Sequence, residues 1–216
     1  MKVINTDEWA RRAPYENFIK YTDPIFSLAV RMDVTALCAR HAEKGTSFFA
    51  DMLYMVSRAV NETEEFRLRL RDGNVVLYDV VHPSYIVMTD DGVIVTCRTD
   101  YCEDYNEFYA RVRADVARMK KSGTRNGSFN HRDDTESFYV SCLPWADIIS
   151  VSDPYDLADR DNCSIPRITW GKFTDEGGRK KLTMNVSAHH ALIDGEPVCR
   201  AFNAIQREID RCGTLG

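Results

Sequence analysis

The residues best suited to chemistry crowd into Ser187-Ala188-His189-His190-Ala191-Leu192-Ile193-Asp194-Gly195. Upstream, Leu182, Met184, Val186 and Ala188 alternate with other residues at the period of a strand. Downstream, Val198, Phe202, Ile205 and Ile209 recur at helical spacing. The segment thus falls between a strand end and a helix start, where α/β sheets commonly carry their sites. If the alternation persists, His190 shares the covered face with Ala188, and His189 faces the other way. An immobile, partly desolvated imidazole keeps its neutral form favoured near pH 7 and can act as a general base. Asp194 follows four residues on, and Gly195 permits a tight turn there. Two other readings stand beside this one: a structural histidine at a strand end, and a His-His-Asp metal site. Adjacent strand residues point apart, and no further ligand has HExxH-like spacing, so no metal is assigned.

The elements that must position these residues read as a mixed α/β pattern. A short helix runs through Trp9 to Arg12, with Pro14 restarting it towards Tyr21. A strand spans Phe26 to Met32, and Asp33 opens a helix that Gly45 stops. Thr46 or Ser47 caps the next helix, whose wide apolar stripe from Phe48 to Val60 implies deep burial. Asp72-Gly73 joins strands 66–70 and 75–81, and Asp91-Gly92 joins 85–89 and 93–98. Phe108, Val112, Val116 and Met119 mark a helix capped by Asp104 and ended by Gly123. A long polar loop covers 120–136, and strands are expected at 138–142, 148–151, 165–173 and 181–188. Together they predict an open mixed sheet with helices packed on one or both faces.

At 216 residues, with 44% hydrophobic and 28% charged, the chain has the balance of one soluble globular domain, 1–216. A net charge of −5 supplies no basic field for a nucleic-acid backbone. The opening residues lack a signal peptide's apolar run, and no stretch is long enough for a membrane span. Seven cysteines at irregular spacing, without a CxxC pair, fit reduced thiols in a cytoplasm.

His189-His190-Ala191-Leu192-Ile193-Asp194-Gly195 resembles the H-H-x-x-x-D-G signature of the chloramphenicol acetyltransferase family. Ser141-Cys142-Leu143-Pro144-Trp145 is similar to that family's S-x-x-P-W segment, and Pro166 to Lys172 to its P-x-I-T-x-x-K strand. Trp9 to Arg12, Phe26 to Leu28, Ala59 to Asn61 and Glu65 to Arg67 also match, so the resemblance covers essentially the whole chain. It implies a chloramphenicol-acetyltransferase-like sandwich of two or three layers and acetyl transfer from acetyl-coenzyme A to a small-molecule hydroxyl, without a metal. In the family such transfer confers antibiotic resistance. It further implies His190 as base, Asp194 paired with Arg11, Ser141 as oxyanion donor, Thr169 holding a water, and Lys172 near the coenzyme A phosphate. Ser141 and Thr169 would also face the cosubstrate. A homotrimer with active sites between subunits is implied too. A physical motive accompanies it, since His190 and Ser141 lie on separate strands. Cys142 adjoins Ser141 but faces the other side of its strand, so a thiolate beside His190 is not expected.

The acceptor pocket departs from the family pattern. Its positions fall at Phe18, Thr22, Phe26, Ile94, Thr96 and Tyr139, where Phe18 lacks the family's tyrosine hydroxyl and Tyr139 replaces an asparagine. The stretch from Asp147 to Asp161 is acidic where the family has an apolar, Asn-rich wall. That is either loop drift or a pocket for a different acceptor, such as a cationic or sugar-like one. A ligand-binding relic without turnover is the non-enzymatic alternative. A dihydrolipoyl acyltransferase is disfavoured, as the chain has no lipoyl-bearing segment and no Pro/Ala-rich linker.

Overall fold

The computed structural model describes residues 1–122 and 134–215. Ten strands and six α-helices are found among them: β1 (Lys2–Val3), α1 (Arg12–Phe18), β2 (Ile25–Asp33), α2 (Thr35–Lys44), α3 (Phe48–Glu62), β3 (Leu68–Arg71), β4 (Asn74–Leu77), β5 (His82–Met88), β6 (Ile94–Arg98), α4 (Tyr105–Ser122), β7 (Ser137–Leu143), α5 (Arg160–Cys163), β8 (Arg167–Gly171), β9 (Thr174–Glu176), β10 (Arg179–His189) and α6 (Gly195–Asp210). The main sheet has seven strands in the order β2-β10-β8-β7-β5-β6, with β9 pairing β10 beside that path. The pairs β5/β7 and β7/β8 are parallel and the rest antiparallel, so the expected mixed sheet is present. A separate three-stranded sheet runs β1-β4-β3.

Alternation along each strand sorts the sheet into two unlike faces. Leu28, Val30, Met184, Val186, Ile168, Trp170, Val140, Tyr85 and Val95 join the apolar cluster with α2, α3, α4 and α6. Burial of such side chains contributes about 1.5–3 kcal/mol each, and is what holds the helices to this face. On the other face stand Ser27, Asn185, Ser187, Thr169, Ser141, Tyr139, Ser84 and Thr96, almost all polar. The segment from Pro144 to Pro166 crosses part of this second face.

Arg69 on β3 is fully buried, and its guanidinium donates to the carbonyls of Phe66, Leu68, Thr135 and Ser137 at 2.6–3.0 Å. Burial pushes its pKa down to about 9, against the smaller opposing effects of Tyr78, Tyr139 and Asp134. It ties the small sheet to the start of β7.

Several sequence expectations shift. The first helix begins at Arg12, so Pro14 lies in its first turn and does not restart it. Asp33 accepts from the Thr35 amide and hydroxyl just before α2, and Ser47, not Thr46, caps α3. Residues 64–67 form a 3-10 turn, so that strand starts two residues later than expected. No strand forms at 148–151. Asp147 is drawn to Arg31 at 2.7 Å, and Ile148 packs over Gly171, so neither edge of this segment enters a ladder. Lys120, Lys121 and Ser122 belong to α4, whereas the rest of the expected loop to Asp133, with Gly123, lies outside the described residues.

Candidate active site

β10 delivers the two histidines to opposite sides. Ala188 pairs with Phe26 in the β2/β10 register, and directly opposed residues share a face. His190 emerges on that side, its ring stacked on Phe18 at 3.9 Å and tilted against Phe26 at 4.5 Å. Its amide donates to the Pro24 carbonyl at 2.8 Å, fixing the chain as it leaves the sheet. The side chain is 32% exposed, so the base position is half-buried and less covered than strand parity alone implies. The chain turns at His189, where Leu192 and Ile193 donate back to its carbonyl, and the alternation stops there. His189 is buried on the far side, and desolvation pushes its pKa down to about 4.

The turn brings Asp194 back to His190, with Oδ1 3.3 Å from Nδ1. The approach is an ion-pair distance without hydrogen-bond alignment, since Nδ1 has no hydrogen-bond partner among the described residues. Arg11 Nη1 grips the other carboxylate oxygen, and Nη2 donates to the His190 carbonyl at 3.4 Å. The hydrogen bond from Arg11 is the main cause holding the Asp194 carboxyl below its ordinary range, against the opposing effect of burial. Arg11, Phe18, Phe26, His190 and Asp194 thus form one cluster.

A second cluster lies on the polar face. A cavity of about 350 Å³ is lined by Thr96, Tyr139, Ser141 and Thr169, together with Ser84, Ile86, Asp153, Asn162 and Arg167. Parallel pairing of β7 with β8 sets Ser141 beside Thr169 and Tyr139 beside Arg167. The Ser141 hydroxyl has no hydrogen bond among the described residues, whereas Tyr139 accepts from Asn162 at 2.9 Å. Cys142 points into the core, where burial pushes its thiol up to about 11. It is no thiolate nucleophile there.

One chain does not bring the two clusters together. Ser141 lies level with Thr169 and Asn185, and His190 is five residues beyond Asn185 on the next strand but one. At about 3.3 Å per residue and 4.8 Å per strand, they stand on the order of 15–20 Å apart. Ile94 is exposed at the sheet edge beside the cavity, Thr22 is exposed between α1 and β2, and Lys172 is exposed beyond β8.

The sequence matches the family named "Chloramphenicol acetyltransferase" over residues 1–206. The chain belongs to this family. A relative from Escherichia coli, "Chloramphenicol acetyltransferase 2", is 33% identical, covering 96% of each chain. The "Chloramphenicol acetyltransferase" of Proteus mirabilis is 28% identical over 96% of this chain and 94% of its own. A solved chloramphenicol acetyltransferase superposes with a TM-score of 0.88 at 24% identity, covering 96% of this chain and 99% of that one. The catalytic core of a 2-oxoacid dehydrogenase complex from Thermoplasma acidophilum shares the fold at a TM-score of 0.67 and 16% identity, covering 97% of each chain. As a chloramphenicol acetyltransferase family member, the protein is an acyltransferase of mixed α/β fold. No helix among the described residues is long and apolar enough to cross a membrane.

Sequence reasoning missed a polar relay in this family member. Ser187 has one hydroxyl proton and donates it to Asp153 Oδ2 at 2.8 Å, so Ser27, 2.8 Å away, is the donor to Ser187. Asn185 Nδ2 donates to Ser187 as well, at 3.2 Å. The available signal was composition: Ser187 and Asn185 occupy the outward positions of β10 yet are buried. Ser187 is covered by the crossing segment, through Asp153 on its hydroxyl and the Tyr155 hydroxyl on its carbonyl.

Proposed function

We propose that the chain, working as one domain over residues 1–216, transfers an acetyl group from acetyl-coenzyme A to a small-molecule hydroxyl in a homotrimer. The observation that carries the proposal is the separation of a braced imidazole from an uncommitted serine hydroxyl. Each group suits one half of the chemistry, and a reacting atom must lie about 3 Å from both. A neighbouring copy supplies the missing half. The polar face keeps Ile86, Met88, Ile94 and Trp145 exposed around the cavity, the kind of apolar rim that marks an interaction surface. A closed three-fold ring leaves no such face open.

In this reading, the His190 nitrogen turned away from Asp194 takes the acceptor's hydroxyl proton while its oxygen attacks the thioester carbonyl. Ser141 of the facing subunit donates to the oxygen that becomes negative. The tetrahedral intermediate collapses, expels the coenzyme A thiolate and returns the carbonyl, and the imidazolium gives its proton to the sulfur. Thr169, beside Ser141, holds a water near the reacting centre. Lys172 is exposed with no ion pair among the described residues, which suits a contact with a coenzyme A phosphate. Phe18, Thr22 and Phe26 frame the acceptor from the base's side, and Ile94, Thr96 and Tyr139 from the serine's side.

Inactive His190→Ala and Ser141→Ala proteins, unfolded together and refolded, test this arrangement by thiol release from acetyl-coenzyme A. Mixed trimers regain partial activity, because some interfaces unite an intact His190 with an intact Ser141. Mixed trimers that form without recovering activity would place both residues of a site in one subunit and refute the arrangement.

A further inference from the structure

The cavity beside Ser141 contains a carboxylate that the proposed acetyl transfer does not use. Asp153 lines it, and among the described residues no cation lies within ion-pair distance of the side chain. An ionised carboxylate offers about four acceptor sites. Ser187 fills one at 2.8 Å, and Thr169 approaches a second only at 3.5 Å. The remaining acceptor capacity is open to the cavity. Nearby, the Ser84 and Thr96 hydroxyls are buried without hydrogen-bond partners among the described residues, and Ser84 is only 1% exposed. The pocket therefore presents hydrogen-bonding groups that its own side chains do not satisfy.

The position of Asp153 is built into the structure. Arg167 lies 3.8 Å over the Tyr155 ring and 5.5 Å over the Tyr139 ring, and donates to the Pro154 carbonyl. Tyr155 donates to the Ser187 carbonyl at 3.2 Å. Arg31 holds Asp147 at the other end of the segment. Arg167 keeps its charge, with Nε buried and unpartnered among the described residues, but its guanidinium is held over the two rings, and Asp153 is the one acidic side chain among the residues that line the cavity. Covering it with a neutral, apolar ligand strips its water and supplies no counter-charge, which is unfavourable.

We propose that Asp153 makes this an acceptor pocket for amino alcohols, binding the protonated amine of a molecule whose neighbouring hydroxyl receives the acetyl group. The inference rests on the acetyl-transfer reading above and names its substrate class. A protonated, ion-paired amine has no lone pair with which to attack the thioester, so transfer is directed to oxygen.

Two probes differ mainly in this charge: the aromatic amino-diol left when chloramphenicol loses its dichloroacetyl group, and the N-acetyl amide of that amine. Wild-type protein is expected to acetylate the amine with the higher kcat/KM at a pH where the amine is protonated. Asp153→Asn keeps an acceptor for Ser187 and removes the charge. It is expected to lower the amine-to-amide ratio of kcat/KM by at least about tenfold, the scale of one charged hydrogen bond exchanged for a neutral one. Should the variant misfold, the wild-type preference alone decides. A wild-type preference for the amide, turnover of neither probe, or a ratio unmoved by Asp153→Asn would overturn the inference. Loss in His190→Ala of thiol release measured with chloramphenicol or another neutral hydroxyl acceptor keeps the acetyl-transfer reading standing even then. Turnover that survives His190→Ala would sink that reading separately.

Discussion

Asp194→Asn separates two ways of holding the imidazole proposed as the base. In the native site the ring plane is set by Phe18 at 3.9 Å and Phe26 at 4.5 Å, while Asp194 Oδ1 sits 3.3 Å from Nδ1. The aromatic clamp survives the substitution, but the charge that favours an imidazolium is lost. Two unit charges near 4 Å interact by about 1 kcal/mol in water and about 4 kcal/mol at a surface-like effective dielectric of 20. Asp194 is 37% exposed and already shared with Arg11, which is 17% exposed, so the low end applies. A loss of about 1 kcal/mol is about fivefold in rate. Asp194→Asn should therefore lower kcat by roughly five- to tenfold, with KM for the acceptor little changed. His190→Ala should cost about a hundred- to ten-thousandfold under the same conditions. Steady-state kinetics by thiol release, with circular dichroism to check folding, measure both. A folded Asp194→Asn protein as inactive as His190→Ala would refute the reasoning, because the carboxylate would then be indispensable to the base and the aromatic clamp insufficient.

Two further outcomes probe the scaffold. Buried His189 has its pKa depressed from 6.5 to about 4, so between those values the unfolded chain binds the extra proton and stability falls as pH falls. Urea unfolding at a series of pH values should show His189→Asn losing up to about 1.4 kcal/mol per pH unit of that slope, with no difference in slope above pH 6.5; identical slopes across the window would disprove it. A Cβ at Gly171 would stand 2.6 Å from Ile148 Cγ1 and 3.1 Å from the Ala146 carbonyl, so Gly171→Ala should cost about 1–3 kcal/mol and loosen the segment carrying Asp153. Adding Ile148→Ala should restore part of the lost Tm, and a double variant no more stable than Gly171→Ala would count against this contact as the cause.

The grouping of His190 with Asp194 was legible because its parts are local or motif-bound. His190 and Asp194 are four residues apart, and the alternation of β10 with the helical spacing of α6 brackets them. The mixed sheet was legible for the same reason, since each strand carries an apolar side that only the helix layer could cover. Asp153 was not legible as an individual residue. The acidic composition of 147–161 suggested a changed pocket, but a segment without periodicity gives no direction for any one side chain. Its placement depends on Arg31, Arg167, Tyr155 and Gly171, contacts distant in sequence. The run Ile148-Ile149-Ser150-Val151 misled because β propensity reflects packing on a pleated surface, and here the packing partner is a glycine beneath the segment. Half-exposure of His190 was likewise invisible, because the turn at His189 ends the alternation on which the burial inference relied.

The distance between the two clusters also bears on how such an enzyme can diversify. The imidazole and its braces come from α1, β2 and the end of β10, whereas the carboxylate, the serine and the unsatisfied hydroxyls come from β5 to β8 and the crossing segment. The crossing segment touches the strands that carry the first group, through Asp153 to Ser187 and Asp147 to Arg31, whereas Thr96 and Tyr139 lie on strands farther across the sheet. Effects of changes more than about 7–10 Å apart with no shared partner generally add. In the stability of one chain, changes at Thr96 or Tyr139 should therefore add to changes at Arg11 or Asp194, whereas Asp153, joined to β10 through Ser187, is tied to both groups.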